Sequence, residues 1–145
     1  MDADRLGHAC TCFVVRRAAR HLTQAYDRHL APTGLRTTQY SLLTTLKRTG
    51  PRSIQSLAAE MGLDRTTLGR NLRPLERDGL VSIAVDQMDR RGRALAITEA
   101  GAAKLAEARR CWQAAQARFV ETYGETETRA LHATLDGLAR LDLGG

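Results

Sequence analysis

The sequence predicts a mainly α-helical fold with one small β-hairpin, an α+β class, and three observations lead to this expectation. Apolar residues recur at helical spacing over most of the 145 residues. Glycine or proline interrupts that spacing wherever one predicted helix must end. Between Leu80 and Thr98 the period changes to the alternation of half-buried strands. We therefore expect helices on both sides of a single hairpin.

Two helices are predicted in the first third of the chain. The first spans about residues 8–31, and Pro32 followed by Gly34 stops its apolar stripe. The second begins near Thr38 and is broken by the pair Gly50–Pro51. Both are long enough to contribute to a core.

A pair of shorter helices follows. Ser53 is predicted to cap the first of them, which Gly62 ends, and Asp64 to cap the second, which Gly79 closes. The hairpin comes next, with residues 86–93 as its loop. Two short helices joined by a glycine-containing turn and followed by a hairpin are typical of a winged helix-turn-helix.

The chain ends with two more predicted helices, at Glu99–Tyr123 and over about residues 131–141. The first of these would be about 40 Å long, which exceeds what one small domain can cover. Its apolar stripe is best buried against a second copy of the chain. We therefore expect a two-fold homodimer, with residues 1–36 and 99–145 as the helical dimerisation region and residues 37–98 as the winged helix-turn-helix domain.

The second helix of the short pair carries the strongest functional signal. Its polar side chains at spacing i, i+4, i+7 and i+11 form one stripe opposite three leucines. A helix fits the major groove of DNA, where Arg reads guanine, Asn reads adenine and Thr donates, accepts or touches a thymine methyl. The alternative is an ordinary solvated cationic face. The candidate DNA contacts on this helix are Arg65, Thr66, Thr67, Arg70, Asn71, Arg73 and Arg77, the last better placed for phosphate than for bases. Pro74 either curves the helix or ends it early.

The hairpin loop places Arg90, Arg91 and Arg93 around Gly92. An exposed loop gives no folding reason to crowd three cations. Beside a helix in the major groove, such a loop lies over the adjacent backbone, where a projecting Arg can enter the minor groove. Asp89 is expected to pair with Arg91 and hold its orientation.

Charge and cysteine content narrow the class of protein. Lys and Arg number 22 against 16 Asp and Glu, a net charge of +6 that fits a polyanion binder, although high genomic G+C content also produces an Arg bias. The sequence has neither a secretory signal nor an apolar run of spanning length, which predicts a cytoplasmic protein without membrane contact. Three cysteines do not suggest a disulfide framework. Within a helix Cys10 and Cys12 project about 200° apart, so no metal site is expected.

The run "DRTTLGRNLRPLERDGLVSIAVDQMDRRGRALAITEAG", preceded by "SIQSLAAEMGL", resembles the MarR family of bacterial transcriptional regulators, and the likeness covers nearly the whole chain. The family's wing pattern is matched by Asp89, Arg91, Gly92, Leu95, Ile97, Thr98 and Gly101. The resemblance implies a triangular homodimer whose termini form the interface and whose two winged domains bind double-stranded DNA at a palindromic operator. It also implies a signal that weakens DNA binding, most often in a repressor.

One kind of signal in this family is a small aromatic or anionic effector, bound between the DNA-binding lobe and the dimerisation helices. By helix position the candidate lining residues are Arg16, Tyr26, His29, Tyr40 and Trp112. The alternative, which residue type favours for each of them, is a core or interface residue.

A thiol switch is the alternative signal. Arg16 lies one turn after Cys12, and a nearby cation favours the reactive thiolate. The segment resembles the N-terminal helix of the peroxide-sensing OhrR branch, whose Cys-Phe pair matches Cys12 and Phe13 and whose positioning tyrosine matches Tyr26. Other tyrosines of that branch are replaced here by Arg16 and Thr37. Cys12 as a small core or interface residue is the other interpretation.

An enzyme is not expected, because the sequence offers no glycine-rich phosphate loop, metal cluster or recognisable triad, and no cofactor is implied. The enzyme class that the residues leave open is a thiol-dependent enzyme using Cys12. A helical interaction module that does not bind DNA is the remaining rival.

Overall fold

The computed structural model describes residues 10–88 and 90–144. Within them the chain forms helices α1 (Thr11–Leu30), α2 (Thr37–Thr49), α3 (Ile54–Met61), α4 (Arg65–Arg77), α5 (Glu99–Tyr123) and α6 (Glu125–Ala139), and strands β1 (Arg52–Ser53), β2 (Val81–Val85) and β3 (Arg93–Ile97). A 3₁₀ turn at Ala31–Thr33 follows α1. The predicted mainly α fold with a small hairpin is confirmed.

The link between α1 and α2 is fixed by one carboxylate. Asp27 Oδ1 accepts hydrogen bonds from both the backbone nitrogen and the hydroxyl of Thr37, each at 2.7 Å. Gly34 turns the chain with a φ of 78°, a left-handed conformation that favours glycine. The first helix starts at Thr11 rather than near His8, which lies outside the described residues.

The helix-turn-helix has the two predicted N-caps. Ser53 Oγ accepts from the Ser56 backbone nitrogen at 3.0 Å, and Asp64 Oδ1 accepts from that of Thr67 at 2.7 Å. Each bond satisfies a donor that the first turn of a helix leaves without a partner. Helix α4 continues through Pro74 to Arg77, so of the two outcomes left open for that proline the early end is wrong.

The hairpin is part of a three-stranded antiparallel sheet in the order β1-β3-β2. In the predicted hairpin Val81 lies opposite Ile97. Strand β1 was not predicted, because two residues are too short to show alternation. Arg93 was predicted in the loop, but it is the first residue of β3 and pairs with Val85. The loop therefore consists of residues 86–92.

Leucines from four helices and one strand form the core between α2 and the sheet. The fully buried large side chains are Leu30, Leu42, Leu43, Leu46, Leu57, Leu68, Leu75 and Leu95. Each contributes roughly 1.5–3 kcal/mol relative to an exposed position. Leu68, Leu72 and Leu75 are the predicted apolar stripe of α4, and their burial holds the opposite side of that helix towards solvent.

Helix α5 has the predicted bounds and packs against α1, α2 and α6. Its N-cap Thr98 accepts from the Gly101 nitrogen at 3.0 Å and donates to the Gly79 carbonyl at 2.6 Å. Several apolar side chains of the terminal segments are exposed in the single chain: Phe13, Val14, Tyr123, Leu135, Leu141 and Leu143. Among the described residues, no helix combines the length and apolar character that crossing a membrane would require.

Candidate nucleic-acid interface and adjoining cavity

The outer face of α4 presents a row of cations. Arg65, Arg70, Arg73 and Arg77 are exposed, as is Thr66. Because three leucines anchor the opposite side in the core, rotation of the helix would expose them, and the cationic face is therefore held in place. Arg77 Nε lies 3.3 Å from Asp78 Oδ1 in an exposed pair that holds the side chain weakly.

Two of the side chains predicted to contact DNA are already hydrogen-bonded to α4 or its N-cap. Thr67 Oγ1 donates to Asp64 Oδ2 at 3.0 Å, and Asn71 Nδ2 donates to the Thr67 carbonyl at 3.0 Å. Both side chains are half-buried, so a contact with a base would require them to exchange these bonds. The hydrogen bonds from Thr67, backbone first and hydroxyl second, hold the pKa of Asp64 below its ordinary value, with a smaller contribution from Arg70.

The wing consists of β2, β3 and the loop 86–92 between them. Arg90 and Arg91 lie exposed on this loop. The loop is closed where the Asp86 nitrogen donates to the Gly92 carbonyl at 3.1 Å. Asp89 lies outside the described residues, so its predicted pairing with Arg91 stays a prediction. Arg93 is exposed on β3, directly after the last residue of the loop.

An ionic cluster joins the wing sheet to two helices, and sequence reasoning missed it. The Glu60 carboxylate of α3 accepts from Arg48 near the end of α2 and from Arg52 of β1. Arg52 Nε also donates to Ser56 Oγ at 2.9 Å. The hydrogen bonds from Arg52 and then from Arg48 lower the pKa of Glu60. Three elements of the helix-turn-helix therefore meet at one ionised carboxylate.

A cavity of about 750 Å³ lies between α2 and α5. Among its lining residues, the rings of Tyr40 and Trp112 stack with centroids 5.9 Å apart and planes at 12°. Its full lining is Tyr40, Ser41, Thr44, Thr45, Lys47, Arg48, Ala102, Leu105, Ala106, Arg109 and Trp112. Burial raises the pKa of Tyr40, which a hydrogen bond with Thr44 and the charge of Arg109 partly oppose, so the phenol is neutral near pH 7. The cavity thus combines aromatic rings, hydroxyls and three cations.

The five residues predicted to line a ligand pocket do not lie together. Tyr40 and Trp112 share the cavity between α2 and α5, whereas Tyr26 and His29 line a separate cavity of about 290 Å³ among the terminal helices. Tyr26 Oη donates to Gln116 at 2.5 Å. Arg16 is exposed on α1 and is absent from the lining of the Tyr40–Trp112 cavity. Sequence reasoning missed Lys47, Arg48 and Arg109, which have no pattern that separates them from other surface cations.

The cysteines occupy different environments. Cys10 and Cys12 are exposed, and Cys111 is partly buried against the core. Cys10 is the N-cap residue of α1, with a φ of −53° and a ψ of 121°, so the expected separation of about 200°, which assumed two helical residues, does not apply. In the described part of the chain, no three His, Cys, Asp or Glu side chains are arranged to hold a metal ion.

Comparison with known proteins agrees with this architecture. The model of the MarR family matches residues 35–92. The transcriptional activatory protein BadR of Rhodopseudomonas palustris is 30% identical over 147 residues, which cover 91% of this chain and 80% of that protein. The M. tuberculosis transcriptional regulator MosR, solved in complex with DNA, is 38% identical over 92% of this chain and 100% of that one, with a TM-score of 0.76. CouR from Rhodococcus jostii RHA1, solved with p-coumaroyl-CoA, is 26% identical over 96% and 100%, with a TM-score of 0.78.

Proposed function

Because the chain belongs to the MarR family of bacterial transcriptional regulators, we propose that it is a homodimeric repressor that a small anionic effector releases from a palindromic DNA operator. The observation that carries this proposal is the cationic outer face of α4, which three buried leucines hold towards solvent beside an arginine-bearing wing. The related MosR was solved with DNA.

The proposed division of labour between α4 and the wing follows from groove geometry. Helix α4 would lie in the major groove, where Arg70 and Arg73 reach base edges. Arg65 and Arg77, near its two ends, would contact phosphates. The loop at residues 86–92 would then lie over the neighbouring backbone and direct Arg91 to the minor groove. Three further side chains of α4 would add contacts with the DNA: Thr66, Thr67 and Asn71.

The proposed dimer buries the exposed apolar side chains of the terminal segments. Leu141 and Leu143 near the C-terminus are 58% and 80% exposed in the single chain, and Phe13 on α1 is 54% exposed. An isologous contact between two copies would cover these side chains and set the two α4 helices about a two-fold axis. A palindromic operator has the same symmetry.

The proposed effector site is the cavity between α2 and α5. Tyr40 and Trp112 provide aromatic surface, and Lys47, Arg48 and Arg109 provide positive charge at its walls. An aromatic acid or its coenzyme A thioester satisfies both features, and about 750 Å³ has room for more than one aromatic ring. CouR, described as a transcriptional repressor, was solved with p-coumaroyl-CoA.

Fluorescence anisotropy tests this function by measuring the affinity of the protein for the DNA upstream of its own gene. We expect tighter binding to that duplex than to a random one, and weaker binding once p-coumaroyl-CoA is added. Equal affinity for the two duplexes would exclude self-regulation. A promoter fusion in cells with and without the gene tests the sign of regulation. Loss of a repressor raises expression, whereas loss of an activator, the role that BadR is named for, lowers it.

A thiol switch is the second candidate signal, favoured by the exposure of Cys12 in the first turn of α1. A hydroperoxide would convert this thiol to a sulfenic acid and leave as water or an alcohol. Stoichiometric peroxide should then lower DNA affinity, added thiol should restore it, and Cys12→Ser should abolish the response. If the wild-type protein keeps its DNA affinity after peroxide, this candidate is wrong.

A further inference from the structure

Arg48 takes part in two sites at once. It lines the cavity between α2 and α5, and its guanidinium is bonded to Glu60 of α3. Resting on the effector function proposed above, we propose that an anion in the cavity competes with Glu60 for Arg48, and that this competition transmits effector binding to the helix-turn-helix.

The position of Arg48 suits such an exchange. It lies near the C-terminal end of α2, and its side chain is 64% exposed, so the guanidinium can change partners without leaving a packed site. Lys47 precedes it and Arg109 faces the cavity from α5. The three cations attract one anionic group more strongly than Arg48 does alone.

Glu60 tolerates the loss of this partner. Its second oxygen is bonded to Arg52, which Ser56 also holds, so the carboxylate keeps a cation when Arg48 turns away. The two arginines lower the pKa of Glu60, which keeps it ionised at neutral pH and available for the return of Arg48. The exchange therefore leaves neither Arg48 nor Glu60 without an oppositely charged partner.

The consequence reaches the DNA-binding helix through packing. Helix α3 packs against α4, and Leu57 of α3 is fully buried in the shared core. The bond between Arg48 and Glu60 ties α3 to α2, which forms one wall of the cavity. When the effector takes Arg48, α3 loses its tie to α2. Because α4 packs on α3, the arrangement of α4 that binds DNA then loses stability relative to others.

Glu60→Gln tests the competition, with Lys47→Ala as the matched control for charge at the cavity. Trp112 fluorescence gives the affinity for p-coumaroyl-CoA, and anisotropy gives the ratio of DNA dissociation constants with and without saturating probe. Since the Arg48–Glu60 pair is partly exposed, we expect Glu60→Gln to bind the probe about two- to fivefold more tightly and to lower the ratio by a similar factor. Lys47→Ala should bind the probe more weakly and keep the wild-type ratio, because Lys47 is not bonded to Glu60.

Arg48→Ala provides the second variant. In that background Glu60→Gln should no longer change probe affinity, as expected when two mutations remove one interaction. If Glu60→Gln matches the wild type in probe affinity and in the ratio, the inference is wrong while the effector site stands. If the wild type binds neither p-coumaroyl-CoA nor p-coumarate, or binds them without a change in DNA affinity, the effector proposal fails and the inference falls with it.

Discussion

The rings of Tyr40 and Trp112 stack with their centroids 5.9 Å apart and thereby join α2 to α5. Trp112 is the only tryptophan of the chain, so its emission reports on the cavity alone. We predict that p-coumaroyl-CoA quenches this emission to saturation. Arg109→Ala should weaken the binding about two- to fivefold, since Arg109 provides an exposed charge.

Arg118→Ala is the matched control, because Arg118 lines a different cavity among the terminal helices. It should bind the probe as the wild type does. Equal losses in both variants would mean that the probe responds to overall charge rather than to the cavity between α2 and α5.

Any side chain at Gly101 is predicted to destabilise the fold for a steric reason. A Cβ at this position would lie 2.0 Å from the Leu80 carbonyl oxygen and 2.8 Å from Ile97, where the start of α5 crosses the sheet. Gly101→Ala should therefore lower the free energy of unfolding by about 1–3 kcal/mol, as measured by urea denaturation. Gly69→Ala in α4 is the control, because its Cβ would meet nothing within 4 Å. It should be neutral or stabilising by up to about 1 kcal/mol, and a Gly101→Ala protein as stable as Gly69→Ala would contradict the steric reason.

The cap at Asp64 predicts a pH dependence. Its pKa is lowered below the ordinary 3.8 because the ionised form accepts from the Thr67 nitrogen and hydroxyl. A depressed pKa in the folded state contributes stability that is present above the unfolded value and is lost as the pH falls through the folded one. The stability difference between wild type and Asp64→Ala should thus be full at pH 7 and smaller at pH 3.

Ser53→Ala serves as the control for this cap, since Ser53 caps α3 without a titratable group. Denaturation midpoints at the two pH values give both differences. An Asp64→Ala difference that is as constant with pH as that of Ser53→Ala would rule out the assigned role of the carboxylate.

The wing is predicted to contribute to DNA binding mainly through charge. Arg91→Ala should weaken operator binding and reduce the slope of log affinity against log salt by about one. Anisotropy titrations at four KCl concentrations measure both quantities. Arg129→Ala, which removes an exposed cation from α6, should leave the slope unchanged. If Arg91→Ala keeps the wild-type slope, the wing does not contact phosphate or the minor groove.

Most of the fold could be predicted from the sequence because its signals are local. The caps at Ser53 and Asp64 and the bounds of α5 follow from residues within one turn of each helix end. Strand β1 escaped prediction because its two residues pair with Leu95 and Ala94, more than forty positions away in the chain. Local periodicity contains no information on such a pairing.

The candidate site was predicted unevenly for a related reason. The cationic stripe of α4 shows in the helical period, whereas the cavity between α2 and α5 forms only when two distant helices pack. Helix position assigns Tyr40 and Trp112 to one pocket, but it gives no reason to separate them from the other three predicted lining residues, Arg16, Tyr26 and His29, which do not line this cavity. Nor does it single out Arg48 and Glu60. Tertiary packing, rather than residue type, brings each of these pairs into contact.

The most direct test of the central claim is selection of DNA from a random duplex pool by the wild-type protein, by Arg70→Ala and by Arg129→Ala. Arg70 lies in the middle of the cationic face of α4. A bidentate contact between Arg and guanine contributes about 1–3 kcal/mol of discrimination against other bases. We predict that wild type and Arg129→Ala enrich the same palindrome and that Arg70→Ala loses preference within each half-site. A wild-type protein that enriches no sequence, or an Arg70→Ala protein that enriches the same palindrome equally well, would contradict sequence-specific reading by α4.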